Sequence, residues 1–308
     1  MKPFLKWLGI ALGILVLVLV VFAGYIFWQA SGIMSQTYPD IKGKNIYVPS
    51  DSATVARGRQ LMRGVGTCGA CHGLDLSGQE QDMGPFAYYV APNITFGKGG
   101  LPANYSIQDL DLIVRHGIKR DKTGALIMPS FHLNRISDED LAAIYAYLKT
   151  APKVDKERPN FSLGPIGKMV LVQGGLLTEA AITDHNFKSP KRPEIAPTAE
   201  YGKYLAEIAC MGCHAQNYSG GKVFEGDPKW PSAANLTKHM KHYTNESFAH
   251  FLKTGVRADG TVVDTLAMPI YATKFADSLE MAALFSYLSA LPEQPDSSFS
   301  WHEYFSKH

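Results

Sequence analysis

The strongest pattern in the chain is an unbroken apolar run from Trp7 to Trp28, 22 residues without a charge (WLGIALGILVLVLVVFAGYIFW). At about 1.5 Å rise per residue, such a helix crosses a hydrocarbon core of roughly 30 Å. Lys2 and Lys6 stand before the run and no Lys or Arg follows it closely. That asymmetry predicts a cytoplasmic N-terminus, with everything beyond residue 30 on the outer side. Trp7, Tyr25 and Trp28 lie where interfacial aromatics belong. A cleaved signal peptide has an apolar stretch of only about 7–15 residues, so the length favours a retained anchor.

After the run, apolar positions recur with helical period, and they do so twice. Helices are predicted around Ala53–Gly64 and Ala199–Ala209. Ser106, with Asp109 three residues on, starts a helix whose Leu110, Ile113 and Val114 share one face before Gly117 ends it. Thr244, Phe248, Phe251, Leu252 and Gly255 repeat that pattern 138 residues later. A closing helix is capped by Ser137–Asp140 and carries Leu141, Ile144, Tyr145 and Leu148; Asp277 and Glu280 cap its copy, with Met281, Leu284, Phe285 and Leu288. Pro152 and Pro292 stop the two helices.

This repetition predicts an all-α chain of two tandem domains behind one transmembrane helix. Residues 1–30 form the anchor and 31–51 a linker. Residues 52–152 are the first domain, 153–197 a connector, 198–293 the second domain and 294–308 a tail. The connector is long for a simple loop, and its apolar stretch Met169–Leu177 is expected to pack along the domain surfaces. It is too short for a second span. The tail, with its Trp-His-Glu-Tyr-Phe segment, is expected to be loosely packed.

All four cysteines fall in two motifs, Cys68-Gly-Ala-Cys71-His72 and Cys210-Met-Gly-Cys213-His214. C-x-x-C-H is the covalent haem attachment signature: two thiols add across the vinyl groups and the adjacent His ligates the iron. The alternatives are a zinc site built from both Cys pairs, which would have to join residues 142 apart, and a thioredoxin-like pair, which needs a βαβ context that is absent. Two covalent haem c groups are therefore expected, with His72 and His214 as proximal ligands. The distal candidates are Met128 and Met268, each before a Pro and a closing helix. Methionine is more often core filler, but these two occupy matching places in the repeat. His116 and His132 correspond to Thr254 and Ala272, so neither is duplicated. His/Met ligation raises the potential relative to His/His.

Weaker candidates follow from the same register. The ligating His usually donates its second ring nitrogen to a carbonyl, for which Pro85 and Pro228 are candidates. Asn93 and Asn235, each 21 residues after its motif His, are candidates for hydrogen bonds to haem propionates along with Thr95 and Thr237; ordinary turn capping is the alternative. Arg115, Lys119, His239 and His242 read as surface residues. A net charge of +2, with no basic stripe, argues against nucleic-acid binding.

Taken together, these residues resemble class I cytochrome c domains, in which the first and last helices cross at a small residue. Gly58 with Ile144 and Tyr147, and Gly202 with Leu284 and Tyr287, match that crossing. GLDLSG, APNIT, RHG, MPSF and DEDLAAIYAYL are similar to bacterial dihaem cytochromes c and to cytochrome subunits of membrane-bound alcohol and gluconate dehydrogenases, over residues 52–292. The dehydrogenase subunits commonly bear three haems, where this chain has two motifs. The resemblance implies a bacterial inner-membrane protein with its haem domains in the periplasm. It would pass single electrons between protein redox partners, as a subunit or partner of a respiratory or other membrane electron-transfer complex, with no small-molecule substrate of its own because both irons are fully ligated. The alternative is a dihaem peroxidase, which needs one iron with an open position.

Overall fold

The computed structural model describes residues 2–66, 68–224, 226, 229–265 and 267–307. The elements are α1 (Lys2–Met34), α2 (Ser52–Arg63), α3 (Cys68–His72), β1 (Gln79–Asp82), β2 (Ala87–Ala91), α4 (Ile107–His116), α5 (Ser130–Leu133) and α6 (Asp138–Thr150). There follow β3 (Ser162–Leu163), α7 (Pro165–Val172), α8 (Glu179–Ile182), α9 (Ala199–Ala209), α10 (Met211–His214), α11 (Leu236–His239), α12 (Asn245–Thr254), α13 (Ile270–Thr273), α14 (Ser278–Leu288) and α15 (Trp301–Lys307).

Among the described residues, α1 is the one helix long and apolar enough to cross a membrane. Most of its apolar side chains are exposed, but Ile26 and Ala30 are buried. There the connector meets α1, which packs against α7, and the Lys168 ammonium sits 4.0 Å from the centre of the Phe27 ring. Ala30, Ala87, Leu163, Leu171 and Leu176 form a small core at this junction. The connector's apolar stretch is thus partly the helix α7, and it braces the anchor as well as the first half.

Helix starts follow the caps. Ser106 with Asp109 and Asp277 with Glu280 form reciprocal capping boxes, and Thr244 pairs in the same way with Ser247. Gly117 and Gly255 close α4 and α12 in the left-handed region, at φ +64° and +75°. In each half the first helix crosses the last: α2 on α6 and α9 on α14. A Cβ on Gly58 would lie 1.9 Å from the Ala143 carbonyl oxygen, and one on Gly202 would lie 1.9 Å from that of Ala283. The closest approach is therefore to a backbone carbonyl, with Tyr147 and Tyr287 next at 2.9 Å.

The purely helical expectation needs correction. β1, β2 and β3 form an antiparallel sheet, with Gln79 opposite Ala91 and Ala87 opposite Leu163. Among the described residues the second half keeps the same pairing as a single bridge, Gly221 opposite Ala233. β1 is exposed along its whole length and has no apolar alternation, so its sequence carries no strand signal.

The halves share one hydrophobic cluster and a buried polar network. Arg57 is bonded to Asp140 (2.8 Å) and to Glu280 of the other half (2.9 Å). Tyr204 donates to Asp140 (2.9 Å), Gln60 to Glu280 (2.8 Å), and Arg192 to Asp140 (3.0 Å). Burial works to raise the Asp140 carboxyl, but the hydrogen bond and charge of Arg57, with Arg192 and Tyr204, outweigh it and hold it below the usual carboxylate range. Glu280 goes the other way, pushed up by burial against the pull of Gln60 and Arg57. Asp140 contributes stability above its unfolded value of about 3.9 and loses it as pH falls through the lower folded value. Asp140→Asn is expected to cost about 3 kcal/mol at pH 7 by leaving Arg57 short of a partner. In urea titrations the gap to the parent should close at low pH; a constant gap down to acid unfolding would remove Asp140 ionisation from the account.

Candidate haem sites

Directly after the opening helix of each half, Cys68–His72 form the short helix α3, and Met211–His214 form the short helix α10 with Cys210 as its N-cap. On a helix, residues three apart share a face, so Cys68 and Cys71, and Cys210 and Cys213, each present a pair of thiols side by side. No disulfide joins them. Burial pushes the thiols of Cys68 and Cys210 up to about 12, the neighbouring cysteine adding to the effect. Such groups stay protonated at neutral pH. Among the described residues no three His, Cys, Asp or Glu converge as a metal-binding group.

Both motif histidines are buried and held alike. His72 Nδ1 lies 2.8 Å from the Pro92 carbonyl oxygen, and His214 Nδ1 lies 2.8 Å from that of Ala234. Burial lowers both imidazoles, against the raising effect of those carbonyls. A neutral ring with Nδ1–H engaged has Nε2 as its donor atom, the arrangement an iron ligand requires. The carbonyl partner is Pro92 and not Pro85, because the turn preceding Asn93 is folded back over the motif; Pro228 lies outside the described residues. The turn is shared between halves. Gly78 N donates to the His72 oxygen (2.8 Å) and Gly220 N to the His214 oxygen (3.0 Å).

Asn93 and Asn235 sit next to these carbonyls, and their amides are used by the chain. Asn93 Oδ1 accepts from the Thr95 N–H and hydroxyl (both 2.9 Å), while Nδ2 donates to the oxygens of Val154 (2.8 Å) and Lys156 (3.1 Å). Asn235 repeats this with Thr237, the Gln294 oxygen and Asp296. Each amide clamps the chain after the closing helix onto the turn that holds the histidine.

Met128 and Met268 are half-buried and border the same core as Cys68 and Cys210. After each Met-Pro pair the chain turns alike, with Ser130 N donating to the Met128 oxygen (2.6 Å) and Ile270 N to the Met268 oxygen (2.7 Å). The short helices that follow cross to the opposite half: α5 packs on α10, and α13 on α3. The His132 ring abuts Gly212, where a Cβ would come within 2.6 Å of it. Burial, with Arg135 nearby, brings this imidazole down to about 4, so it is neutral. In the matching place the first half has Ala70 and the second Ala272.

Two surface expectations also fail. Arg115 is buried, bonded to Asp111 and Asp138 (both 2.8 Å) and to the Ile136 oxygen, whereas Lys119, His239 and His242 are exposed. The tail is not loose: Trp301 in α15 is buried, its ring centre 4.9 Å from that of Phe131 and 5.4 Å from that of Phe305. The connector supplies a residue that no motif marks, Glu179, whose Oε2 accepts from the Ser130 N–H (2.9 Å).

Residues 53–148 match the family described as cytochrome C oxidase, cbb3-type, subunit III, a match that implies covalently bound haem c. The chain is 26% identical over 274 residues to the fructose dehydrogenase cytochrome subunit of Gluconobacter japonicus, covering 79% of this chain and 54% of that one. It is 26% identical over 281 residues to the cytochrome c subunit of an alcohol dehydrogenase (quinone) of Gluconobacter oxydans, covering 80% and 56%. A dihaem cytochrome c of Cereibacter sphaeroides is 25% identical over 261 residues, covering 74% and 82%. The chain spans a little over half the length of the two dehydrogenase subunits. The chain thus carries a cytochrome c-type domain and is similar along most of its length to cytochrome subunits of dehydrogenases.

Proposed function

We propose that the chain is a membrane-anchored carrier of single electrons with two covalent haems, one in each of two tandem cytochrome c domains at residues 52–152 and 198–293. Cys68, Cys71, His72 and Met128 hold the first haem; Cys210, Cys213, His214 and Met268 hold the second. The observation that carries this reading is the identical pinning of the two motif histidines by backbone carbonyls at 2.8 Å. Haem, when bound, supplies a one-electron iron couple. The chain's own residues attach it, orient the histidine, keep that ring neutral and exclude water. Pro92 and Ala234 fix the ring direction, and Asn93 and Asn235 fix the turns that carry those carbonyls. α1 holds both domains on the outer, periplasmic side, since its only flanking lysines precede it.

The relatives' names point to a dehydrogenase as electron donor, with this chain as the electron-transfer subunit and not the catalytic one. The dihaem peroxidase alternative is not favoured, because a methionine stands at the distal place in both halves. Alkaline pyridine spectra and intact mass should give two haems per chain. The double variant Cys68→Ala/Cys71→Ala should keep one. A parent protein with a single haem, or a double variant that keeps two, would sink the assignment.

A further inference from the structure

We propose that Glu179 is a positioning residue for Met128, so that the connector, and not the repeat, makes the two haem sites unequal. The inference rests on the ligand assignment above. Glu179 opens α8 and is fully buried. Its Oε2 accepts from two successive backbone N–H groups, Ser130 (2.9 Å) and Phe131 (3.2 Å), the residues that follow Met128-Pro129. Its own backbone is fixed as well: Glu179 N donates to the Ala125 oxygen (2.9 Å), and Thr183 N and Oγ1 donate back to the Glu179 oxygen. Gly117 admits the side chain, since a Cβ there would come within 2.4 Å of the Glu179 Cβ.

The Met128 turn is therefore held from both sides, at Ala125 before it and at Ser130 and Phe131 after it, by one rigid residue. A carboxylate oxygen between two N–H groups is a strong acceptor; losing it would take this partner from the Phe131 N–H and leave the Ser130 N–H with the Met128 oxygen alone. Among the described residues the second half has no counterpart. Gly255, which matches Gly117, faces side chains of Val263, Ile270 and Thr265 from its own half. Ile270 and Tyr271, which match Ser130 and Phe131, meet no carboxylate among the hydrogen bonds of the described residues. The Met268 turn is held from within its own half, by its backbone and by the Asp264 carboxylate, which accepts from the Ala267 N–H (3.2 Å), and the Met128 turn is held by the connector.

The test is the far-red band that a methionine sulfur gives when bound to ferric haem, together with a redox titration that separates the two haems. Glu179→Ala should lose one haem's share of the band and move one redox wave to lower potential, leaving the other in place. Glu179→Gln keeps an acceptor oxygen and should retain both. If Glu179→Ala does not assemble, Glu179→Asp, with its oxygen drawn back by one bond, should show the same selective loss in part. A full band and unshifted waves in Glu179→Ala or Glu179→Asp, even with a lowered melting temperature, would overturn the proposal. Met128→Leu separates the two ideas: if it too leaves the band intact, the ligand assignment has failed rather than the role of Glu179.

Discussion

Gly58→Ala and Gly202→Ala are each expected to disrupt their half of the protein, lowering stability by about 3 kcal/mol or more and cutting haem retention. Overpacking against a side chain can relax by a change of rotamer. Here the added carbon would meet a backbone carbonyl at 1.9 Å, in α6 for Gly58 and in α14 for Gly202. A carbonyl within a helix moves only with the helix, so relief requires separating the crossing pair. That separation opens the core holding Leu61, Leu141, Leu205 and Leu288, all essentially inaccessible to water. A domain with a net stability of about 5–15 kcal/mol has little reserve for it. Gly32→Ala, with nothing within 4 Å of its added carbon, serves as the control and should be neutral. Thermal melts of the three variants decide the matter. Equal melting temperatures would mean that the crossings are looser than their geometry.

Much of this architecture was legible because it is local and repeated. A capping residue, a helical period and a terminal glycine are short-range signals, and finding each twice in register removed most alternatives. The bridge at Gly221 and Ala233 repeats the register of Gln79 and Ala91, so the repeat extends even to the sheet. That sheet was nevertheless missed, because β1 is exposed and lacks alternation. The carbonyls on His72 and His214 were missed for another reason. The sequence says that a histidine needs an acceptor but not which loop returns over it, and Pro92 is selected by a turn that Asn93 clamps to residues 61 and 63 positions away. Arg57, which reaches across 223 residues to Glu280, and Glu179 depend on tertiary approach and leave no periodic trace. Trp301 misled because a polar terminal segment with a few aromatics reads as a tail, while its ring is buried against Phe131 of the other half.

Met128→Ala and Met268→Ala should each convert one haem alone to a form that binds carbon monoxide rapidly when reduced, with its midpoint potential lowered by on the order of 0.1 V. The rivals for the distal place are two histidines of the first half, and the structure engages both elsewhere. His132 lies against Gly212 of the opposite half. His116 pairs with His185 at 3.1 Å and stands 3.8 Å from Asp111. Neither has a duplicate, so neither explains a site present in both halves, whereas the methionines recur with the same Pro and the same backbone turn. The two substitutions should not be fully independent. α5, which carries His132, leans on α10, so a loosened Met128 turn is transmitted to the Cys210–His214 segment through packed atoms. Met268→Ala acts the other way through α13 on α3, but there Ala272 stands in the place of His132 and, being smaller, transmits less. The measurement is a redox titration of each single variant and of the pair. A double variant whose shifts equal the sum of the singles would show that the contact between halves carries no coupling, and unchanged potentials in both singles would remove methionine from the distal side altogether.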